Sequence, residues 1–163
     1  MKDEGSTTLT HVDDRGRLKM VDVTEKDVTQ REAEAEATVF LRRETLARIE
    51  DSDLPKGNVY EVARIAGIFA AKRTWELIPL CHPLQVTGVR IEFHPDFDKS
   101  AIRITSRVKT LDRTGVEMEA MTAVSVAALT IYDMCKAIDR EIRISDIQLN
   151  MKCGGKSGTF LRS

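Results

Sequence analysis

From Glu32 to Leu41 the chain alternates strictly: Ala33, Ala35, Ala37, Val39 and Leu41 fall on one side, Glu32, Glu34, Glu36, Thr38 and Phe40 on the other. A period of two predicts a half-buried strand, although the Ala/Glu composition by itself favours a helix. Further on, Val89, Ile91 and Phe93 alternate with Arg90 and Glu92, and Ile102, Ile104, Ser106 and Val108 alternate with Arg103, Thr105, Arg107 and Lys109. A loop containing Pro95-Asp96-Phe97-Asp98 separates the two runs, which therefore read as an antiparallel hairpin. A last alternating run covers about Glu141 to Leu149. Its apolar parity slips from Ile142/Ile144 to Ile147/Leu149, which predicts a bulge at Ser145-Asp146.

Between these strands lie helical patterns. A short one spans about Arg43 to Glu50. Pro55-Lys56-Gly57-Asn58 then forms a turn whose Asn58 suits an N-cap, and a helix follows to about Lys72. The clearest helix runs from about Met118 to Ile138. The order strand, helices, strand, strand, helix, strand predicts an α+β, ferredoxin-like β-α-β-β-α-β fold with helices packed on one face of an antiparallel sheet. Many functions share that fold, so function has to come from sites.

Composition narrows the class. The 163 residues carry 25 Lys+Arg against 26 Asp+Glu, with 42% hydrophobic and 31% charged residues, as expected for a soluble globular domain. Residues 1–19 are polar, with an Asp13-Asp14-Arg15-Gly16-Arg17 run, and are expected to form a flexible N-terminal arm before a single catalytic domain at 20–163. No uncharged stretch exceeds 13 residues and no apolar segment follows Met1-Lys2-Asp3-Glu4-Gly5, so neither export nor a membrane partner is expected. Cys81, Cys135 and Cys153 are odd in number and form no C-x-x-C pair. They suit a reducing compartment, and a cytoplasmic location is expected.

Candidate chemistry gathers at three places. The Met118–Ile138 helix is apolar nearly all round and should be buried. At 100° per residue, Glu119, Thr122, Asp133 and Lys136 fall on one polar stripe, with Asp133 and Lys136 three apart. Isolated burial would cost several kcal/mol per ion, so these charges must pair or face a cavity; an ordinary helix-end salt bridge is the competing reading. In Leu80-Cys81-His82-Pro83-Leu84, flanked by Pro79, His82 could bind an anion or move protons near neutral pH, or simply bond a loop carbonyl. The tail Asn150-Met151-Lys152-Cys153-Gly154-Gly155-Lys156-Ser157-Gly158 joins two lysines to glycines that let backbone N–H groups approach an anion. It is not a P-loop, because Asn150 stands where that motif needs its first glycine. Adjacent Cys81-His82 is poor metal spacing, and no metal site is expected. With Lys56, Arg64, Lys72 and Arg73 nearby in sequence, the whole suggests chemistry on a small phosphorylated molecule.

The motifs Met20-Val21-Asp22-Val23, Lys56-Gly57-Asn58-Val59, Ala66-Gly67-Ile68, Ala71-Lys72-Arg73-Thr74-Trp75, Leu80-Cys81-His82-Pro83-Leu84, Gly115-Val116-Glu117-Met118-Glu119-Ala120 and Ile131-Tyr132-Asp133-Met134-Cys135-Lys136-Ala137 occur in one order. With Gly154-Gly155-Lys156-Ser157-Gly158 they resemble the molybdenum cofactor biosynthesis protein C family, the cyclic pyranopterin monophosphate synthases, collinearly from about Leu9 to Phe160. The resemblance implies a lyase that converts (8S)-3′,8-cyclo-7,8-dihydroguanosine 5′-triphosphate to cyclic pyranopterin monophosphate and diphosphate. It implies that Asp133 and Lys136 act as general acid and base, and that Lys56 and Lys152 are further essential lysines. Leu80, Cys81 and His82, together with Met118 and Glu119, match substrate-contacting segments, with Glu117 assisting. From charge, Arg31, Arg73, Lys156 and His82 are assigned to the triphosphate. A homohexamer built as a trimer of dimers, with the site at a subunit interface, is also implied. No cofactor is required by the sequence; Mg2+ would arrive with the triphosphate or diphosphate.

Two rivals remain. A noncatalytic nucleotide-binding regulatory module would use the lysines without needing Asp133. An RNA-binding domain is disfavoured by the 5% aromatic content and the lack of stacking aromatics on the strands, so no nucleic acid partner is expected.

Overall fold

A computed structural model describes residues 12–13, 15–156 and 158–163. In chain order the elements are β1 (Thr29–Phe40), α1 (Arg43–Glu50), α2 (Val59–Lys72), α3 (Thr74–Leu77), β2 (Val86–Asp96), β3 (Ala101–Asp112), α4 (Glu117–Cys135), β4 (Arg143–Cys153) and β5 (Phe160–Leu161). Their strands form an antiparallel sheet ordered β2-β3-β1-β4-β5, so the first four follow the ferredoxin-like order that the sequence pattern predicts. Part of the expected N-terminal arm, residues 1–11 and 14, lies outside the described residues. Val12 bridges to Leu18 around a turn in which the Asp13 carboxylate accepts from the Arg15 and Arg17 N–H groups.

Pairing explains why the Ala/Glu run of β1 is a strand. Glu34 stands directly opposite Arg107 and Glu32 opposite Lys109 on β3, with Arg107 Nη2 2.7 Å from Glu34 Oε2 and Lys109 Nζ 3.2 Å from Glu32 Oε2. Exposed pairs contribute little each, but here they fix register between facing strands. On the opposite face Ala33, Ala35, Ala37 and Val39 are fully buried, and their small side chains let α4 lie close over β1. Ile102, Ile104, Val108, Val124 and Ile131 complete this core, each worth roughly 1.5–3 kcal/mol of burial.

α2 packs antiparallel on α4. Lys56, just before α2, reaches Asp133 near the end of α4, whereas Gly67 faces Ala123 and Ala127 at its middle. A Cβ at Gly67 would meet the Ile91 side chain and lie 2.8 Å from the Ala123 carbonyl oxygen, so the helices approach more closely than any larger residue permits. Asn58 caps α2 through its side-chain oxygen, which accepts from the Glu61 N–H, as the turn motif predicts.

The predicted bulge is present: the β1–β4 register slips between Glu36 and Thr38, where Asp146 has a φ of 53°. A second slip, between Glu34 and Ala35, leaves Asn150 without a register partner, and the apolar pattern does not predict it. β4 continues to Cys153, past the expected end near Leu149, and α4 ends at Cys135 rather than Ile138. Pro95 and Asp96 belong to β2, not to the turn, because β2 is an edge strand where a missing N–H costs little. By length and hydropathy α4 meets the criteria for a membrane span, but it is largely buried under the sheet and α2, which accounts for its apolar character.

Candidate active site

Along the inner face of β1 the small core residues stop at Ala33, and two residues earlier Arg31 takes the same side. The sheet opens there into a cavity of about 480 Å³. Its walls are Arg31 from β1, Leu80, Cys81 and His82 from the loop before β2, and the first turn of α4 with Glu117, Met118 and Glu119; Lys152 closes it from β4. Residues from four separate stretches of sequence are thus brought together by the fold.

Each side chain is positioned by a specific contact. Arg31 donates from Nε to the Asp112 carbonyl at 3.0 Å and from Nη2 to the Arg113 carbonyl at 2.9 Å, which fixes the guanidinium at the cavity edge. His82 Nε2 lies 2.8 Å from the Val21 carbonyl oxygen; since that oxygen only accepts, Nε2 carries the proton. The loop-carbonyl reading of His82 therefore holds in this structure, and the imidazole also lines the cavity. Lys152 Nζ is 3.5 Å from Glu117 Oε1.

Glu119 stands apart. It is 4% exposed, and burial, reinforced by the nearby Glu117 charge against the pull of its own N–H, pushes its carboxyl up to about 7. The Cys81 thiol is pushed up as well, first by burial and then by the Glu119 charge. Two carboxyl groups two residues apart thus sit in different environments, one beside a lysine and one desolvated.

Lys56, Asp133 and Lys136 form a second cluster. Lys136 Nζ is 2.7 Å from Asp133 Oδ1, and Lys56 Nζ donates to the Asp133 carbonyl at 2.9 Å with Oδ2 at 3.5 Å. The Lys136 hydrogen bond and charge, then the Lys56 charge, hold the Asp133 carboxyl below its ordinary value, while Asp133 raises Lys136. Both are therefore ionised at neutral pH. Helical angle puts this pair on one stripe with Glu119 and Thr122, but the structure separates them and gives the helix-end salt bridge: Glu119 and Thr122 are buried, whereas Asp133 and Lys136 are 59% and 52% exposed at the opposite end of α4. Angle carries no axial information. At 1.5 Å per residue, Asp133 lies roughly 21 Å along the axis from Glu119.

Two more assignments are displaced. Arg73, at the C-cap of α2, points to Glu76 at 3.9 Å and does not line the cavity. Lys156 lines a neighbouring recess that shares Arg31 with the cavity. Conversely, Val21, Val23, Lys26 and Arg113 line the cavity although the sequence does not mark them as site residues. Arg113 immediately precedes the Thr114-Gly115 turn into α4, and Val21 lies in one of the recognised motifs, so position relative to motifs was the available signal. Among the described residues no group of three His, Cys, Asp or Glu could hold a metal ion.

Comparison with known proteins gives this geometry its setting. The MoaC family model matches residues 20–155. The chain belongs to the MoaC family. It is 57% identical over 154 residues, covering 94% of this chain and 91% of the relative, to a cyclic pyranopterin monophosphate synthase from Pelotomaculum thermopropionicum. It is 58% identical over 155 residues, 95% of both chains, to the protein of that name from Desulforapulum autotrophicum. A third, from Heliobacterium modesticaldum, is 58% identical over 154 residues, covering 94% of this chain and 97% of its own. In this MoaC chain the cavity and the Asp133 cluster occupy opposite ends of one helix.

Proposed function

We propose that this chain is a cyclic pyranopterin monophosphate synthase, a lyase of molybdenum cofactor biosynthesis that converts 3′,8-cyclised dihydro-GTP to cyclic pyranopterin monophosphate and diphosphate. Near full-length identity to proteins of that name carries the reading. The chemistry needs staged proton transfers and stabilisation of a departing diphosphate. Cationic Arg31 and Lys152, with His82, supply an anion-binding wall, and Glu119 and Asp133 supply two carboxyl groups of different proton affinity.

One chain cannot bring Asp133 to the cavity. The active site is therefore completed between subunits, with Lys56, Asp133 and Lys136 of one copy beside the cavity of another. Exposed Val62, Ile65 and Phe69 on α2 and Leu129 on α4 support this, as an apolar strip suited to a second copy. The assembly is a homohexamer, a trimer of dimers, in the cytoplasm, where three free cysteines are stable. A divalent ion such as Mg2+ rides on the phosphates.

The test supplies the cyclised triphosphate to the purified protein and follows diphosphate release and pyranopterin formation. Asp133→Asn should form neither product. Mixing it with a separately inactive cavity variant, Lys152→Ala, should restore part of the activity through hybrid oligomers. Turnover by Asp133→Asn equal to the parent would remove the acid/base role, and no product from folded parent protein would favour a noncatalytic nucleotide-binding module.

A further inference from the structure

Residues 19–28 run from the Val12–Leu18 bridge to β1 without joining a helix or a strand, and they pass along the rim of the cavity. Val21 and Val23 line it and are half-buried, whereas Met20, Asp22 and Thr24 beside them are exposed. Extended backbone puts alternate side chains on one side, so two branched apolar groups close a cavity whose other walls include Arg31, Glu117 and Lys152. The segment also folds on itself. The Asp22 carboxylate accepts from the Thr24 N–H at 2.8 Å and from its hydroxyl at 2.6 Å, and the Lys26 N–H donates to the Val23 carbonyl at 3.0 Å. It is a compact strap, able to move as a unit.

Two side chains tie this strap to the body of the protein, one near each end. His82 donates from Nε2 to the Val21 carbonyl at 2.8 Å, and Arg113 donates from Nε to the Lys26 carbonyl at 3.0 Å. Both are cavity residues. Arg113 is itself fixed through its backbone: its N–H donates to the Asp112 carboxylate at 2.7 Å, and its carbonyl accepts from Arg31 Nη2 at 2.9 Å. The side chain that holds the strap therefore springs from the same short turn that holds the cationic wall of the cavity.

We propose that residues 21–26 form a lid that keeps water from the substrate's α-phosphorus, with Arg113 as its positioning residue. The inference rests on the synthase reading, in which a cyclic phosphate forms as diphosphate departs. There the bond from the α-phosphorus to the diphosphate oxygen breaks, and diphosphate leaves with the electron pair. A hydroxyl oxygen of the substrate's own sugar bonds to the phosphorus and gives up its proton. Water at the same phosphorus would carry out the same substitution and yield an open monophosphate. A closed lid with an apolar underside removes that competitor, and Val21 and Val23 supply the underside.

The test reads the strap and the product on the same preparations of full-length protein. Cleavage after Glu25, which is exposed in the middle of the strap, by a glutamate-specific protease follows the open population. Arg113→Gln removes a charge-assisted bond at an exposed position and should be cut about tenfold faster than the parent. Given the cyclised triphosphate in heavy-oxygen water, it should release labelled open monophosphate as a share of product raised by the same factor. Val21→Thr combined with Val23→Thr keeps the shape and the latch but wets the underside, and should raise the open share at the parent's rate of cleavage. Parental cleavage of Arg113→Gln would overturn the latch, and wholly cyclic product from both variants would overturn the lid. A raised KM in Arg113→Gln with neither change would make that residue a plain substrate contact and overturn both. Opening of added cyclic product by the variants would also overturn the lid, because the open form would then arise after ring closure and not in its place. Absence of any turnover by the parent fails the synthase reading instead, while the cleavage rates still decide whether Arg113 holds the strap.

Discussion

Replacing Glu119 with glutamine removes one ionisable group from the cavity wall and keeps its shape. The parent carboxyl is 4% exposed and holds its proton up to about pH 7 instead of the ordinary 4.5, chiefly because burial disfavours the charged form. The native state therefore binds a proton that the unfolded state has released, and each pH unit of that difference is worth about 1.36 kcal/mol. Below pH 4.5 both states are protonated and the native form keeps this contribution in full; as pH rises through 7 it is lost, to a total of roughly 3 kcal/mol. The glutamine variant has no such loss. Urea unfolding of both proteins at pH 4.5, 6 and 8.5 should show the variant gaining about 3 kcal/mol on the parent across that range, with unchanged m-values. A stability difference independent of pH would refute the reasoning, because it would mean that Glu119 ionises in the folded protein as easily as in water.

Two further substitutions probe the frame that holds the site. Asp139 is 1% exposed, and although burial raises its carboxyl, the Arg42 N–H, the Thr45 hydroxyl, the Glu141 N–H and the Arg42 charge outweigh it and hold it below 3.8. Asp139→Ala orphans those donors and should cost about 3–5 kcal/mol, read as a thermal midpoint lower by on the order of 10 °C; because the folded carboxyl is held below its ordinary value, the parent should also lose stability as pH falls below about 3.8. Gly67→Ala gains about 1 kcal/mol of helix propensity but pushes a methyl towards the Ala123 carbonyl, so a net loss of about 1–2 kcal/mol in urea unfolding is expected, and a gain would show that α2 and α4 can separate freely.

The strands were legible because their side chains alternate, and the alternation of β1 outweighed its helix-favouring composition once Glu32 and Glu34 found Lys109 and Arg107 across the ladder. The Ser145-Asp146 bulge was legible because parity itself slips there, whereas the one at Asn150 left no such trace, with Leu149 and Met151 apolar on either side of it. Site residues were legible as motifs but not as a geometry. His82, Glu117 and Glu119 converge with Arg31 and Lys152 only because the order β2-β3-β1-β4 sets β1 beside β4 and lays α4 over them, and a sequence does not state which strand end meets which helix end. Arg113 and Lys26 are illegible in the sequence for the same reason: a lone cation in a loop has no signature until the loop is placed.

The length of α4 explains why one helix carries two kinds of chemistry. Its first turn lies in the cavity, its last turn carries Asp133, and its middle is held to α2 at Gly67. On the outer side of that helix pair, Val62, Ile65, Phe69 and Leu129 stay exposed between the two ends. A second copy packed across this strip by a two-fold axis perpendicular to α4 would run antiparallel to the first. The Asp133 end of each chain would then lie beside the Glu119 end of the other, and both gaps of roughly 21 Å would close at once. On the proposed reading, then, the apolar strip and the separated charges are one feature: the strip supplies the burial that docks two copies, and the docking brings an ionised carboxylate with its lysines to a cavity that already holds a carboxyl raised to about 7.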